Sequence, residues 1–291
     1  MQTVGIVSPG AMGSAVGAAL TRGGARVVVT LEGRSARTRR LVDTAGLTLV
    51  PTLADVVASA DVVLSIAPPE AARAIAGDIA GAARQTSSRP LIADLNAISP
   101  ETAQVVAEDL TGVGLELVDG SISGPPPWKP GTRIYLSGSR AHEVAELPLA
   151  GVDRIVVGTE IGTASAVKMS TASVYKGTTA LLAHALVSAR ANGVLEHVLD
   201  DLRAGSPELA SNVERRLANA SSKSGRYVGE MAEIAATQEA AGLTPALFRA
   251  MGEVYAALSA SALGDSAPED IPPDVSLEDV LEGLTRRQED R

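Results

Sequence analysis

The sequence contains no cysteine, which excludes disulfide bonds and thiolate chemistry and removes most zinc-binding patterns. The three histidines, His142, His184 and His197, have no metal-ligand spacing, so we expect no metal site. No apolar run reaches the roughly 18 residues that a membrane-spanning helix needs, and no charged leader precedes the first apolar stretch. We therefore expect a cytoplasmic protein with no membrane contact.

Aromatic side chains and basic tracts are also scarce. Aromatic residues make up only 2% of the chain, so the core must be built from Ala, Val, Leu and Ile, which suit helices packed on a parallel sheet. The formal net charge of −9 argues against a nucleic acid as partner. At 291 residues the chain is long enough for two domains, and a small-molecule substrate is the partner we expect.

The first residues have the pattern of a strand, a glycine turn and a helix. The β-branched run Thr3–Val7 is followed by Ser8-Pro9-Gly10-Ala11-Met12-Gly13 and then by an alanine-rich stretch. Gly10 and Gly13 fit the second and third glycines of the dinucleotide motif G-x-G-x-x-G, whereas Ser8 occupies the position of the first. The following helix offers free N–H groups to a pyrophosphate. The pattern predicts a dinucleotide site, and the alternative is a tight turn without a ligand.

The second strand, residues 26–30, is followed by side chains that suit a phosphate. In a doubly wound fold the adenosine ribose lies after this strand. Arg34, Ser35 and Arg37 offer two guanidinium groups and a hydroxyl within one turn, which favours NADP(H) over NAD(H). Glu32 could instead bind a free 2′-hydroxyl, and the arginines would then be the solvated start of a helix.

Strands and helices alternate until about residue 160, and only helical patterns follow. We predict an α/β Rossmann domain with a doubly wound, mostly parallel sheet over residues 1–160, and an all-α C-terminal domain over residues 161–291. A long helix, Thr163–Ala191, joins them and either bridges the domains or forms part of a subunit interface. Later helices are expected over residues 196–202, 207–220, 224–241, 245–261 and 277–286.

Two strand ends are expected at the ligand crevice. A buried strand ends at Ala67 and Pro68, and another ends just before Asn96. Because the carboxyl ends of parallel strands form the crevice at the switch point of the sheet, Ala67 and Pro68 are expected to line the cofactor path. A simple turn is the alternative for this pair.

Lys168 lies among small and apolar residues near the start of the long helix. Loss of hydration lowers the pKa of such an ammonium, which could then transfer a proton near neutral pH, although most helical lysines are solvated. Thr171 and Tyr175 share its helix face at i+3 and i+7. We consider Lys168 a candidate catalytic residue, with Thr171 and Tyr175 as candidate substrate-binding residues.

Four motifs together resemble the β-hydroxyacid dehydrogenases, relatives of 3-hydroxyisobutyrate and 6-phosphogluconate dehydrogenases whose plan imine reductases share. They are Gly5-Ile-Val-x-x-Gly-Ala-Met-Gly13, Asp94-Leu-Asn-Ala-Ile-Ser-Pro100, Asp119-Gly-Ser-Ile-Ser-Gly124 and Gly162-x-x-x-x-x-Lys168. The resemblance implies a Rossmann domain, a long interdomain helix, and a helical domain that completes the active site in a homodimer. It also implies an NAD(P)-dependent dehydrogenase or reductase acting on CH-OH groups.

The resemblance assigns roles residue by residue. Asn96 would contact the cofactor near the nicotinamide, and Ser123 and Gly124 would anchor a substrate carboxylate. Lys168 would be the general acid/base on the hydroxyl or carbonyl oxygen while hydride moves between the nicotinamide and carbon. The cofactor pyrophosphate would be held by the turn residues Gly10, Ala11, Met12 and Gly13.

The chain also departs from the family pattern. Pro125 replaces a glycine and removes one N–H from the carboxylate anchor. Thr171 or Ala172 stands where an asparagine is usual, and the Lys-Asp pair of a later helix is missing. Glu230 and Glu233 in that region could enter a cleft or be solvated carboxylates.

Three functions are therefore open. The first is an oxidoreductase for a small hydroxy acid or the corresponding keto compound, with Lys168 as general acid/base. The second is an imine reductase, although such enzymes commonly carry aspartate or tyrosine in place of this lysine. The third is a non-catalytic, nucleotide-binding regulatory protein.

Overall fold

The computed structural model describes residues 2–264, 266, 271–272 and 274–285. The chain forms two compact units, Met1–Ser170 and Thr171–Arg291. The predicted fold, a Rossmann-type α/β region followed by a helical region, is confirmed.

One eight-stranded sheet forms the centre of the first unit. Its strand order is β3-β2-β1-β4-β5-β6-β7-β8, and all neighbours are parallel except the antiparallel pair β6 and β7. The chain moves outward from β1 to β3 and then returns to the other side of β1 with β4, which makes the sheet doubly wound. The strands are β1 Thr3–Val7, β2 Arg26–Val29, β3 Thr48–Leu49, β4 Val62–Ser65, β5 Leu91–Asp94, β6 Leu117–Ser123, β7 Arg133–Ser137 and β8 Asp153–Gly158.

Aliphatic side chains cover both faces of this sheet. Neighbouring residues of a strand enter different clusters, as Val63 and Leu64 of β4 do, because successive side chains point to opposite faces. Small side chains on the flanking helices let these helices pack closely on the sheet, so the core needs few aromatic residues. These helices are α1 Ala11–Arg22, α2 Ala36–Ala45, α3 Leu53–Ser59, α4 Ala72–Thr86, α5 Pro100–Thr111 and α6 Ala141–Ala145, with a 3-10 turn at Pro69–Ala71.

Local sequence signals explain where several of these helices begin. The Ser35 hydroxyl accepts a hydrogen bond from the Thr38 N–H at the start of α2, and Ser99 caps α5 with Pro100 in the first helical position. Thr52 and Asp55 form a capping box at α3.

The second unit, within its described residues, contains helices and no strand. The long helix α7, Thr163–Ala191, has the predicted bounds, begins in the first unit and continues in the second. Tyr227 and Tyr255 pack edge to face between α11 and α12, with 5.2 Å between ring centroids. The later helices are α8 Leu195–Gly205, α9 Pro207–Ala210, α10 Val213–Ser221, α11 Ser224–Ala240, α12 Ala246–Ser259 and α13 Leu277–Thr285.

The prediction of one helix over residues 207–220 is wrong. Ser211 is extended and Asn212 is left-handed, with φ of 51°, so the chain breaks between α9 and α10. Asparagine adopts this conformation more readily than most residues with a Cβ, and it serves here as the N-cap residue of α10. The predicted end of the last helix at residue 286 lies outside the described residues.

Candidate cofactor site and active site

The glycine turn joins β1 to α1 and leaves backbone N–H groups available. The Gly10 N–H donates to the Ser8 carbonyl at 2.7 Å, and the Ser14 N–H makes the first helical bond with the Gly10 carbonyl. The N–H groups of Ala11, Met12 and Gly13 precede any intrahelical partner and lie at the positive end of α1. This end of the helix can hold an anion.

Two glycines of the turn meet different constraints. A Cβ at Gly13 would lie 2.8 Å from the Ser8 carbonyl oxygen, so only glycine fits there without a shift. A Cβ at Gly10 would have no neighbour within 4 Å, so the outer side of the turn is open. A tight inner side and an open outer side fit the close approach of a pyrophosphate, and these residues therefore fit a dinucleotide.

Arg34 lies against this turn from the end of the neighbouring strand. Its Nη2 donates to the Ser8 hydroxyl oxygen at 2.9 Å, and its backbone N–H donates to the Leu31 carbonyl at 3.0 Å. Ser35 caps α2, while Arg37 and Glu32 are exposed beside it. The structure thus brings Arg34 to the predicted pyrophosphate turn and leaves Ser35 beside it as a helix cap.

Asn96 holds the ends of β4 and β5 together. Its Oδ1 accepts from the Ala67 N–H at 2.5 Å, and its Nδ2 donates to Asp94 Oδ2 at 2.8 Å and to the Ser65 hydroxyl at 3.1 Å. The side chain is buried, so what it fixes is the loop of Ala67 and Pro68. That loop lies next to the glycine turn, because the Ile66 N–H donates to the Val7 carbonyl at 3.3 Å.

A pair of buried carboxyl groups lies behind this loop. Asp94 of β5 is directly opposite Asp119 of β6 in the parallel register. Burial, with a smaller contribution from the neighbouring charge of Asp119, raises the pKa of Asp94 to about 7, although hydrogen bonds from Asn96 and Ser65 lower it. Asp94 therefore titrates near neutral pH, beside the Asn96 that positions the loop.

Lys168 reaches the end of β6. Its Nζ donates to the Ile122 carbonyl at 2.8 Å, which puts the ammonium beside Ser123, and the lysine side chain is half-buried. Gly124 has φ of 94°, and a Cβ there would overlap the Gly131 carbonyl oxygen. The structure therefore brings Lys168, Ser123 and Gly124 together, and the position of Gly124 requires glycine.

Asp119 anchors the first turn of α7 to the sheet and was missed as a functional residue in the sequence. Its Oδ2 accepts from the N–H groups of Gly162 and Ser165 at 2.9 and 3.1 Å and from the Ser137 hydroxyl at 2.9 Å. Its Oδ1 accepts from the Ser165 hydroxyl at 2.6 Å. A buried carboxylate at a helix N-terminus is stabilised by these donors and by the helix dipole. Asp119 thus fixes the turn that precedes Lys168. Its position in the Asp119–Gly124 motif was the feature of the sequence that could have identified it.

The segment after Gly124 carries the tryptophan of this chain. The Thr132 hydroxyl donates to the Pro125 carbonyl at 2.6 Å and closes the loop between β6 and β7. Trp128, in this loop, is 55% exposed. The loop thus holds a large apolar side chain in solvent, a few residues from the predicted carboxylate anchor.

Thr171 and Tyr175, the two remaining candidate residues, belong to the second unit. Thr171 is half-buried, and Tyr175 is 71% exposed with its carbonyl accepting from the Thr179 hydroxyl. They lie one and two turns beyond Lys168 along the same helix.

The solvated alternative for Glu230 is wrong, because its side chain is buried and paired. It forms ion pairs with Lys176 and with Arg226, the latter at 3.3 Å. The Lys176 Nζ also lies 4.2 Å from the centre of the Tyr227 ring, in a cation–π contact. Burial raises the pKa of the Tyr227 hydroxyl. The pair with Lys176 was not evident from the sequence because the two charges lie 54 positions apart, on α7 and α11. Glu233 is half-buried.

No three His, Cys, Asp or Glu side chains lie close enough to hold a metal ion within the described residues. Among the helices of the same residues, none is long and apolar enough to cross a membrane.

Two family models match this chain. The NAD binding domain of 6-phosphogluconate dehydrogenase matches residues 3–147, which contain the whole glycine turn and the Asn96 loop. A domain of unknown function, DUF1932, matches residues 189–258 of the helical unit. No curated protein matches the sequence.

Solved structures extend the likeness over most of the chain. The conserved protein MTH1747, of unknown function and described as similar to 3-hydroxyacid dehydrogenases, is 30% identical with a TM-score of 0.65, covering 88% of this chain and 96% of its own. The 3-hydroxyisobutyrate dehydrogenase of Mycobacterium tuberculosis, with L-serine, is 21% identical with a TM-score of 0.70, covering 98% and 99%. An imine reductase variant from Myxococcus stipitatus, in complex with NAD+, is 20% identical with a TM-score of 0.56, covering 89% and 92%. The last two likenesses concern the fold.

Proposed function

The chain belongs to the β-hydroxyacid dehydrogenase family, and from this premise we propose that it is an NADP-preferring oxidoreductase. It transfers hydride between the nicotinamide and a small hydroxy acid or the corresponding keto compound. The observation that carries this function is the half-buried ammonium of Lys168, held on the Ile122 carbonyl beside Ser123. A proton donor fixed beside a candidate carboxylate anchor is what reduction of a keto acid requires.

In this proposal the first unit binds the cofactor with its backbone and one arginine cluster. The N–H groups of Ala11, Met12 and Gly13 hold the pyrophosphate, and the loop of Ala67 and Pro68 lines the path to the nicotinamide. Asn96 acts by fixing that loop. The 2′-phosphate is bound by Arg34 together with Ser35 and Arg37.

Lys168 exchanges the proton with the substrate oxygen, and the bound nicotinamide supplies or accepts the hydride. The Ser123 hydroxyl and the Gly124 N–H hold the substrate carboxylate, while Pro125 has no N–H to add. Thr171 and Tyr175 are proposed as further substrate contacts. Asp119 keeps the start of α7 in place, so that the lysine stays on the Ile122 carbonyl.

Replacing Lys168 with alanine tests the proton transfer. We would assay a panel of small hydroxy acids with NADP+ and the matching keto acids with NADPH. The variant should lose about 100- to 10,000-fold in kcat while its Kd for NADPH stays within about twofold, because the lysine serves the substrate oxygen. Turnover at the wild-type rate would contradict the assigned role.

Replacing Arg34 and Arg37 together with alanine tests the cofactor preference. NADPH binding, followed by fluorescence titration at fixed ionic strength, should weaken roughly 10- to 100-fold, and NADH binding should change by less than about twofold. Arg39 and Arg40, which are exposed one turn later on α2, provide the matched double alanine control. Equal losses for both cofactors would remove the 2′-phosphate assignment, and selective NADH binding by the wild type would favour Glu32 as the ribose ligand.

An imine reductase is the second candidate function, favoured by Pro125 at the carboxylate anchor. A substrate without a carboxylate would not need the N–H that proline lacks. The same assays with a cyclic imine and NADPH distinguish the two substrates. Tight cofactor binding without turnover of any of them would support a nucleotide-binding regulatory protein instead.

We also propose a homodimer formed through the helical unit. Val174 and Leu181 of α7 are 63% and 61% exposed, more than any other large aliphatic side chain of the described residues. They belong to a stripe of small and apolar residues whose spacing alternates between four and three, as in paired helices. The stripe consists of Val174, Thr178, Leu181, Ala185 and Ser188.

A further inference from the structure

Ser8 has a left-handed backbone conformation, which is unfavourable for a residue with a side chain. Its φ is 63°, in the left-handed region, where a residue with a Cβ is less stable than glycine. Only two other described residues with side chains share this feature, Ser87 and Asn212, and both lie at helix ends. Ser8 instead lies in the turn where the dinucleotide motif has its first glycine. We therefore examine which interaction of the Ser8 side chain offsets the free-energy cost of this backbone conformation.

The Ser8 hydroxyl makes one such interaction, with an arginine 26 positions away. It accepts from Arg34 Nη2 at 2.9 Å, across the ends of the neighbouring strands β1 and β2. The backbone of Arg34 is held separately by its bond to the Leu31 carbonyl, in a turn that contains Gly33 with φ of 66°. Both the base and the tip of the arginine side chain are therefore fixed.

We propose that Ser8 is a specificity-determining residue, which holds the Arg34 guanidinium at the glycine turn for the 2′-phosphate of NADP(H). A guanidinium has five N–H donors, and the bond to Ser8 uses one of them. Fixing a long side chain before the ligand arrives removes part of the entropy cost of binding. NADH has no 2′-phosphate and gains nothing from this arrangement. The role of Ser8 rests on the proposed NADP preference.

Replacing Ser8 with glycine tests this role, because glycine keeps the turn and removes the hydroxyl. The Kd for NADPH should rise roughly three- to tenfold, and the Kd for NADH should stay within about twofold. Ser87→Gly is the matched control, since it relieves a left-handed serine at the end of α4. Ser87→Gly should raise Tm slightly because it removes this backbone penalty, whereas Ser8→Gly also loses the bond to Arg34 and should change Tm less. Only Ser8→Gly should change the ratio of the two affinities.

A double-mutant cycle with Arg34→Ala checks that Ser8 acts through the arginine. In the Arg34→Ala background, Ser8→Gly should cause no further loss of NADPH affinity. Equal weakening of NADPH and NADH by Ser8→Gly would overturn the role and make Ser8 a structural part of the turn. Tighter NADPH binding would also overturn it, because the bond to Ser8 would then compete with the cofactor.

The same titrations separate this role from the proposed function. A wild type without NADPH preference, or an Arg34→Ala variant with equal losses for both cofactors, would overturn the cofactor preference and the role of Ser8 together. A wild type that prefers NADPH through Arg34, with a Ser8→Gly variant of unchanged preference, would overturn only the role of Ser8.

Discussion

At the scale of single residues, the carboxyl group of Asp94 links protonation to stability. Its pKa is about 7 in the folded chain, against an ordinary value of 3.8, mainly because it is buried. Between these values the folded chain keeps a proton that the unfolded chain has released. The contribution of Asp94 to the free energy of unfolding is therefore greatest below about pH 4 and falls as the pH rises to about 7.

Asp94→Asn should remove this pH dependence. A shift of this size corresponds to about 4 kcal/mol at most, since one pKa unit is about 1.4 kcal/mol. We would measure the free energy of unfolding of the wild type and the variant with urea from pH 4 to pH 8. The slopes of this free energy against pH are then compared. Asp109→Asn, at an exposed carboxylate paired with Arg73, is the control and should follow the wild type. Parallel curves for Asp94→Asn and the wild type would contradict the assigned titration.

Single residues also mark the limit of what the sequence could predict. The glycine turn, Asn96 and Lys168 could be proposed as site residues because their neighbours in the chain form recognisable patterns. The left-handed serine at position 8 and its bond to Arg34 were not, because backbone angles and contacts over 26 positions leave no local pattern. The burial of Glu230 was left open for the same reason, because Lys176, one of its two counter-charges, lies on another helix.

At the scale of elements, the sequence pattern of α7 predicts the bounds of the helix but not its contacts with the sheet. The helix begins and ends at the predicted residues, since an apolar helical pattern continues until Asn192-Gly193, and Gly193 has φ of 70°. Its anchoring by Asp119 was not predicted, because Asp119 lies within strand β6. That strand continues to Ser123 because it pairs with β7. Pairing partners are set by the whole sheet, which a single stretch does not reveal.

Asp119→Asn should loosen α7 from the sheet. The amide can accept fewer hydrogen bonds than the carboxylate, and it removes the charge that complements the helix N-terminus. We expect a loss of about 2–4 kcal/mol in the free energy of unfolding, measured with urea, together with a lower kcat. Asp55→Asn, at the exposed capping box of α3, is the matched control and should cost less than about 1 kcal/mol. Equal losses for both variants would contradict a special role for the buried anchor.

At the scale of the whole molecule, the exposed stripe of α7 predicts the assembly. Leu181→Glu should convert the dimer to a monomer, because a charge in an apolar interface loses its hydration without gaining a partner. Sedimentation equilibrium gives the mass of each species. Leu49→Glu, on the exposed strand β3 of the first unit, is the control and should leave the mass unchanged. A monomeric wild type, or a variant of unchanged mass, would contradict the proposed interface.

The chain as a whole also carries a single natural optical probe. Trp128 is its one tryptophan, and it lies in solvent on the loop that follows Ser123 and Gly124. Its emission overlaps the absorption of reduced nicotinamide, so a bound reduced cofactor within range should quench it by energy transfer. With no other indole to contribute background, changes in that emission follow one loop alone. The fluorescence of Trp128 can therefore follow cofactor titrations and, after rapid mixing, a catalytic cycle without any attached dye.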